Sequence, residues 1–162
     1  MKMVHNIDLK KLAASCAISL GVGALSALAS MPGMENYENA VKPPLSPPSW
    51  LFPIVWTLLF LLMGVSAHLV YTDRASQSSE RVSALWVYGA QLAVNFFWPI
   101  IFFNLSAYLL AFFWIALLLT LIIVMTLKFY AINKTAGLLQ IPYIIWVSFA
   151  AYLTFATFLV NM

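Results

Sequence analysis

Trp50 to Tyr71 reads WLFPIVWTLLFLLMGVSAHLVY, without one Asp, Glu, Lys or Arg. At 1.5 Å per residue, about 20 apolar residues cross the hydrocarbon core of a bilayer. This stretch meets that length by itself. Outward from it, four more segments qualify, at about 12–29, 82–103, 107–127 and 137–160, again with no acidic or basic side chain inside. The expected fold is an all-α membrane protein, a bundle of five transmembrane helices forming one domain over 1–162. Asn104-Leu105-Ser106 leaves so short a link that the third and fourth helices should form a tight hairpin at the membrane surface.

Composition agrees. Of 162 residues, 64% are hydrophobic and 8% charged, where a soluble domain carries about 25% charged residues. Lipid must be the main solvent. The net charge of +3 is modest, and its placement is more informative than its size, so no nucleic-acid partner is expected. A single cysteine, Cys16, rules out an intrachain disulfide.

The first segment allows two readings. Lys2, Lys10 and Lys11 before it and Ala27-Leu28-Ala29 at its end resemble a cleaved signal peptide. Against this, the apolar stretch exceeds the usual signal core. Ala13, Ala17 and Gly21, and likewise Gly23 and Ala27, lie at the four-residue spacing that lets helices approach closely. Retention is the expectation, with Cys16 a small packing residue. Of the eight Lys and Arg, all but Lys42 then fall on one side of a five-span chain. That asymmetry puts the N-terminus in the cytoplasm and the C-terminus outside.

Missing residues exclude several functions. No Asp, Glu, Lys or Arg stands inside a span for proton-coupled transport, and so no buried lysine for a retinal Schiff base. The histidines are His5, in the N-terminal tail, and His68, expected as a polar ring reaching the headgroup layer, with metal ligation the alternative. No metal site is expected, and no zinc spacing, phosphate loop or serine elbow is present.

The loop 31–49 contains Lys42-Pro43-Pro44-Leu45-Ser46-Pro47-Pro48. Its prolines stiffen the backbone and remove donors, which suits a non-helical lid across the bundle mouth; an exposed spacer is the alternative. Below it, Gln91, Asn95, Trp98 and Phe102 form one stripe of the third helix. Pro142, Trp146 and Ala150 share a face of the fifth, and Trp56, Phe60 and Met63 a face of the second. An amide at membrane depth needs a partner, so Asn95 should point inward. Large rings beside Ala150 and one amide describe a flat apolar pocket. Ordinary helix packing is the competing account, and Trp50, Trp86 and Trp114 read as interfacial anchors.

The run Lys42-Pro43…Pro47-Pro48-Ser49-Trp50-Leu51-Phe52-Pro53-Ile54-Val55-Trp56, continuing to Gly64, resembles the signature of the translocator protein family (TspO/MBR, the tryptophan-rich sensory proteins). Gln91-Leu92-Ala93-Val94-Asn95-Phe96-Phe97-Trp98-Pro99 with Phe102-Phe103 resembles its third-helix motif, and Pro142-Tyr143 with Trp146 and Phe149-Ala150 its fifth. The resemblance runs from about Tyr37 to the end and implies a bacterial-type member in the cell membrane. It also implies binding of porphyrins such as protoporphyrin IX and haem, and of benzodiazepine and isoquinoline ligands, with no required cofactor and often as a homodimer. By motif position the pocket residues are Tyr37, Trp56, Phe60, Asn95, Trp98, Trp146 and Ala150.

Some members are associated with light-dependent porphyrin breakdown, which would make Trp56 and Trp146 the catalytic candidates, although no conventional catalytic motif is present. Lys42 is a candidate partner for a propionate, being the basic residue on the pocket side; a solvated loop charge is the alternative. Gly89 and Ala93 offer a small-residue pair for dimerisation. The chain departs from the family at Asn36-Tyr37, where Trp-Tyr is frequent, at His68, commonly aromatic, and at Thr154, where Asn is frequent. It has no basic residue after Tyr152, so sterol recognition is not expected. Three functions follow: porphyrin handling, transport or sensing; light-dependent porphyrin degradation; and a ligand-free structural or regulatory partner surrounded by lipid.

Overall fold

Asp8 opens the first helix, α1 (Leu9–Ser30), by accepting from the backbone N–H groups of Lys10 and Lys11 at 3.2 and 3.3 Å. These are among the donors an α-helix leaves unpaired at its start. The computed structural model describes residues 7–162, so Lys2 and His5 lie outside the described residues. A 3₁₀ turn at Met31–Gly33 leads into a short helix, α2 (Met34–Asn39). The loop 31–49 is therefore partly helical, and its extended portion is the proline strap from Ala40 onward.

Then come α3 (Leu51–Thr72), α4 (Ser78–Pro99), α5 (Tyr108–Ile132), a short α6 (Lys134–Leu138) and α7 (Ile141–Val160). Five helical stretches are long and apolar enough to cross a membrane, and no strand occurs among the described residues. The helices overrun the expected limits at several ends. α1 starts at Leu9 because Asp8 caps it, and α5 continues to Ile132. The last span is broken by the turn at Leu139-Gln140, where Pro142 sits at the start of α7 and has no helical N–H to lose.

Pro99 removes a backbone donor near the end of α4, and the chain widens into a π-helical turn, Ile100–Asn104. Leu105 N–H reaches back five residues to the Ile100 carbonyl at 3.1 Å. This widened turn completes the hairpin and sets where Phe102 and Phe103 point.

Backbones pack closely between α1 and α3, α4 and α5, and α5 and α7; α1 also touches α4. α7 meets α3 and α4 mainly through long side chains. At the α1–α3 contact a Cβ on Gly64 would lie 2.5 Å from the Cys16 Cα, so glycine is required there. The packing row of α1 is Ser15, Cys16, Ser19, Gly23 and Ser26, whereas Ala13, Ala17 and Ala27 are exposed and Gly21 meets nothing. Serine hydroxyls make this row adhesive: Ser15 donates to the Gly64 carbonyl (2.7 Å), Ser19 to Phe60 (2.7 Å) and Ser26 to Phe96 (2.8 Å). In lipid, where apolar surface is not driven together, such bonds and close approach hold helices.

Candidate functional site

The inward stripe of α4 consists of Gln91, Asn95 and Trp98, continued by Phe102 on the π turn, and all four are buried. Tyr143, 1% exposed, enters from α7 and joins them. Asn95 Nδ2 donates to the Tyr143 hydroxyl at 2.6 Å, and that hydroxyl donates to Gln91 Oε1 at 2.8 Å. Gln91 Nε2 ends the chain on the Met63 sulfur of α3 at 3.6 Å. Three helices are thus tied by one polar relay in an apolar interior, where an unpaired amide or phenol would be costly.

Around the relay stand rings. Trp56 meets Tyr143 edge-on, with centroids 6.3 Å apart, and Phe60 at 5.8 Å. Phe60 fits because Gly23 of α1 has no side chain: a Cβ there would lie 2.5 Å from the ring. Trp146 sits edge-on to Phe52 of α3 at 5.8 Å and reaches Phe149 at 5.8 Å. Trp98 stacks on Phe102 at 5.1 Å. Tyr37, from α2, packs on Phe102 and Phe103 at 5.3 and 5.4 Å. Above it the Lys42 Nζ lies 5.2 Å from the Tyr37 ring and donates to the Glu38 carbonyl at 3.4 Å. Two indole donors, Trp98 Nε1 and Trp146 Nε1, are buried without an acceptor among the described residues.

The positions named from sequence fall into two linked groups. Trp56, Phe60 and Asn95 gather at Tyr143, while Tyr37 and Trp98 meet through Phe102, with Lys42 over Tyr37. Ala150 is buried, and Trp146 joins through Phe52 rather than through Trp56. The rings pack on one another, and Tyr143 stands between α3, α4 and α7. Two surface clefts are present, one of about 390 Å³ beside Asn161 and Tyr108, whose ring packs on Phe102 at 5.1 Å, and one of about 350 Å³ beside Ser83 and Lys128.

A protein-family model described as TspO/MBR matches residues 14–159. The chain belongs to the TspO/MBR family. It is 36% identical to the tryptophan-rich protein TspO of Chlorobaculum tepidum, over 96% of this chain and 99% of that one. It is 34% identical to protein CrtK of Rhodobacter capsulatus, over 91% and 88% of the two chains. The translocator protein of Ovis aries is 33% identical over 76% and 73%. As a TspO/MBR chain with five apolar helices it is an integral membrane protein.

Within this TspO/MBR chain, three expectations are corrected. His68 is 5% exposed, not at a headgroup. It follows Gly64 by one turn and so shares the face that abuts α1. Trp114 is no interfacial anchor: its indole donates to the Val94 carbonyl of α4 at 2.7 Å. The buried stripe of α7 is Tyr143, Val147, Ala150 and Thr154, one residue round from Pro142, Trp146 and Ala150. Tyr143, named in the fifth-helix motif, was not among the expected pocket residues. Its signal was a phenol hydroxyl inside an apolar span, which demands a partner as an amide does. Trp50 and Trp86 are exposed, as anchors would be.

Proposed function

We propose that this protein binds a planar, acceptor-bearing aromatic molecule, a porphyrin such as protoporphyrin IX or haem, among Trp56, Tyr143, Trp146, Asn95 and Trp98, beneath the strap. The observation that carries this reading is the pair of buried, unpartnered indole donors, Trp98 Nε1 and Trp146 Nε1, in a site walled by flat rings. A buried donor without an acceptor is unfavourable by about 1–3 kcal/mol, and a ligand carbonyl or carboxylate would relieve it. Benzodiazepine and isoquinoline ligands offer the same flat body and acceptor. Iron ligation by histidine is not invoked: His68 is buried one helical turn from Gly64. Lys42, whose Nζ lies 5.2 Å from the Tyr37 ring at the rim, would pair with a propionate.

The decisive experiment titrates protoporphyrin IX into the protein in lipid and follows tryptophan fluorescence. Saturable quenching is expected, and it should be lost in the Trp56→Ala, Trp146→Ala double variant. Unchanged affinity in that variant would remove this site, and no binding at all would favour the ligand-free partner reading. In the orientation that the basic residues favour, the strap faces outward and the N-terminus lies in the cytoplasm. A homodimer would use the exposed Gly89 and Ala93 of α4.

A second reading, light-dependent breakdown of the bound porphyrin, is favoured by the 6.3 Å contact between Trp56 and Tyr143, two oxidisable rings at the proposed site. Illumination in air should then yield a new absorbing product with the folded protein, and equal bleaching with denatured protein would dismiss it.

A further inference from the structure

We infer that the ligand reaches this site sideways from the bilayer, through the seam between α3 and α7, and not through the strap from water. The inference rests on the porphyrin site proposed above.

The strap is fastened. Val41 N–H donates to Asn161 Oδ1 at 3.0 Å, and Asn161 Nδ2 donates back to the Val41 carbonyl at 2.8 Å. Tyr152 donates to the Pro44 carbonyl at 3.1 Å, and beneath the strap Tyr37 is wedged against Phe102 and Phe103. Lifting the strap breaks these bonds and bends a proline-stiffened backbone.

The seam is built differently. One buried hydrogen bond, from Gln140 Nε2 to Ser66 Oγ at 2.6 Å, ties α3 to α7 at the end away from the strap. Nearer the strap the two backbones are not closely packed, and the seam is closed by edge-on ring pairs, Phe52 with Trp146 and Trp56 with Tyr143. Phe52, Trp56 and Trp146 are only half-buried. Turning Phe52 and Trp146 aside exchanges ring–ring contact for contact with acyl chains and breaks no hydrogen bond of the relay. In lipid that exchange is nearly balanced, because hydrocarbon solvates these rings as well as protein does. A flat, largely apolar macrocycle is itself concentrated in the bilayer. Its source and its door therefore coincide.

The test uses the full chain in vesicles with protoporphyrin IX and stopped-flow tryptophan quenching. Phe52→Ala should raise the association rate about fivefold, and Asn161→Ala should leave it within about twofold. Phe52→Leu serves if the alanine variant folds poorly. The wild-type rate should follow porphyrin per lipid when the dye is preloaded in the membrane, not its aqueous concentration when delivered on a soluble carrier. Acceleration by Asn161→Ala without any by Phe52→Ala or Phe52→Leu, or dependence on the aqueous concentration alone, overturns lateral entry and leaves the site itself standing. Absence of quenching in the wild type overturns both.

Discussion

The Asn95 amide nitrogen lies 2.6 Å from the Tyr143 hydroxyl, a contact that helps join α4 to α7 where their backbones do not pack closely. The same hydroxyl goes on to Gln91 at 2.8 Å, so Tyr143 both accepts and donates inside an apolar bundle.

Replacing it by phenylalanine keeps the ring and removes both bonds, leaving two amide groups short of a partner. Tyr143→Phe should lower stability by about 2 kcal/mol, since each stranded polar group costs about 1–3 kcal/mol in protein and interhelical bonds in membranes are worth somewhat less. Thermal unfolding in mild detergent checks it. Tyr143→Phe combined with Asn95→Leu should cost less than the two singles added, because one broken bond is then counted twice.

Two glycines should respond in opposite ways. Gly64→Ala places a methyl 2.5 Å from the Cys16 backbone and should destabilise by about 1–3 kcal/mol, as overpacking does. Gly21→Ala meets open space and should stabilise by up to about 1 kcal/mol through helix propensity. Melting temperatures of the two variants side by side decide the matter; similar shifts would mean that α1 is not seated on α3 as described.

Trp146→Phe separates stacking from hydrogen bonding at the proposed porphyrin site. The ring contact with Phe52 can persist, whereas the buried Nε1 donor is gone. A loss of about tenfold in protoporphyrin IX affinity, or about 1.4 kcal/mol, is expected from one missing bond. Equal affinity for the two proteins would show that this donor faces no ligand acceptor.

Asp8 is held below the usual carboxylate range, first by the backbone N–H of Lys11 and also by the nearby Lys11 charge. A depressed carboxyl contributes its cap fully above the unfolded value and loses it as pH falls through the folded one. The amide proton shifts of Lys10 and Lys11 should therefore titrate with a midpoint below about 3.9, the ordinary aspartate value. In Asp8→Asn they should stay flat through that range while the helix start is retained, because asparagine also caps. A midpoint at or above the ordinary value would contradict the cap.

The five spans, their order and the short hairpin at Asn104-Leu105-Ser106 were legible from the chain alone. The reason is physical: each helix in a bilayer must satisfy lipid by itself, so its length and lack of charge are local properties. Motifs in α3, α4 and α7 likewise pointed to Trp56, Asn95 and Trp146 without coordinates.

Which faces meet was decided by the tertiary structure. In water a buried face is more apolar than an exposed one, but in lipid Ile145 facing acyl chains and Val147 facing the core look alike in sequence. That is why the inward stripe of α7 came out one residue away from Tyr143, and why the row Ala13, Ala17 and Gly21 suggested a contact that Ser15, Cys16 and Ser19 make. The π turn after Pro99 and the burial of His68 also depended on neighbours rather than on local composition. Solvation by lipid determined the helices; polar pairing and close approach between distant residues determined the site.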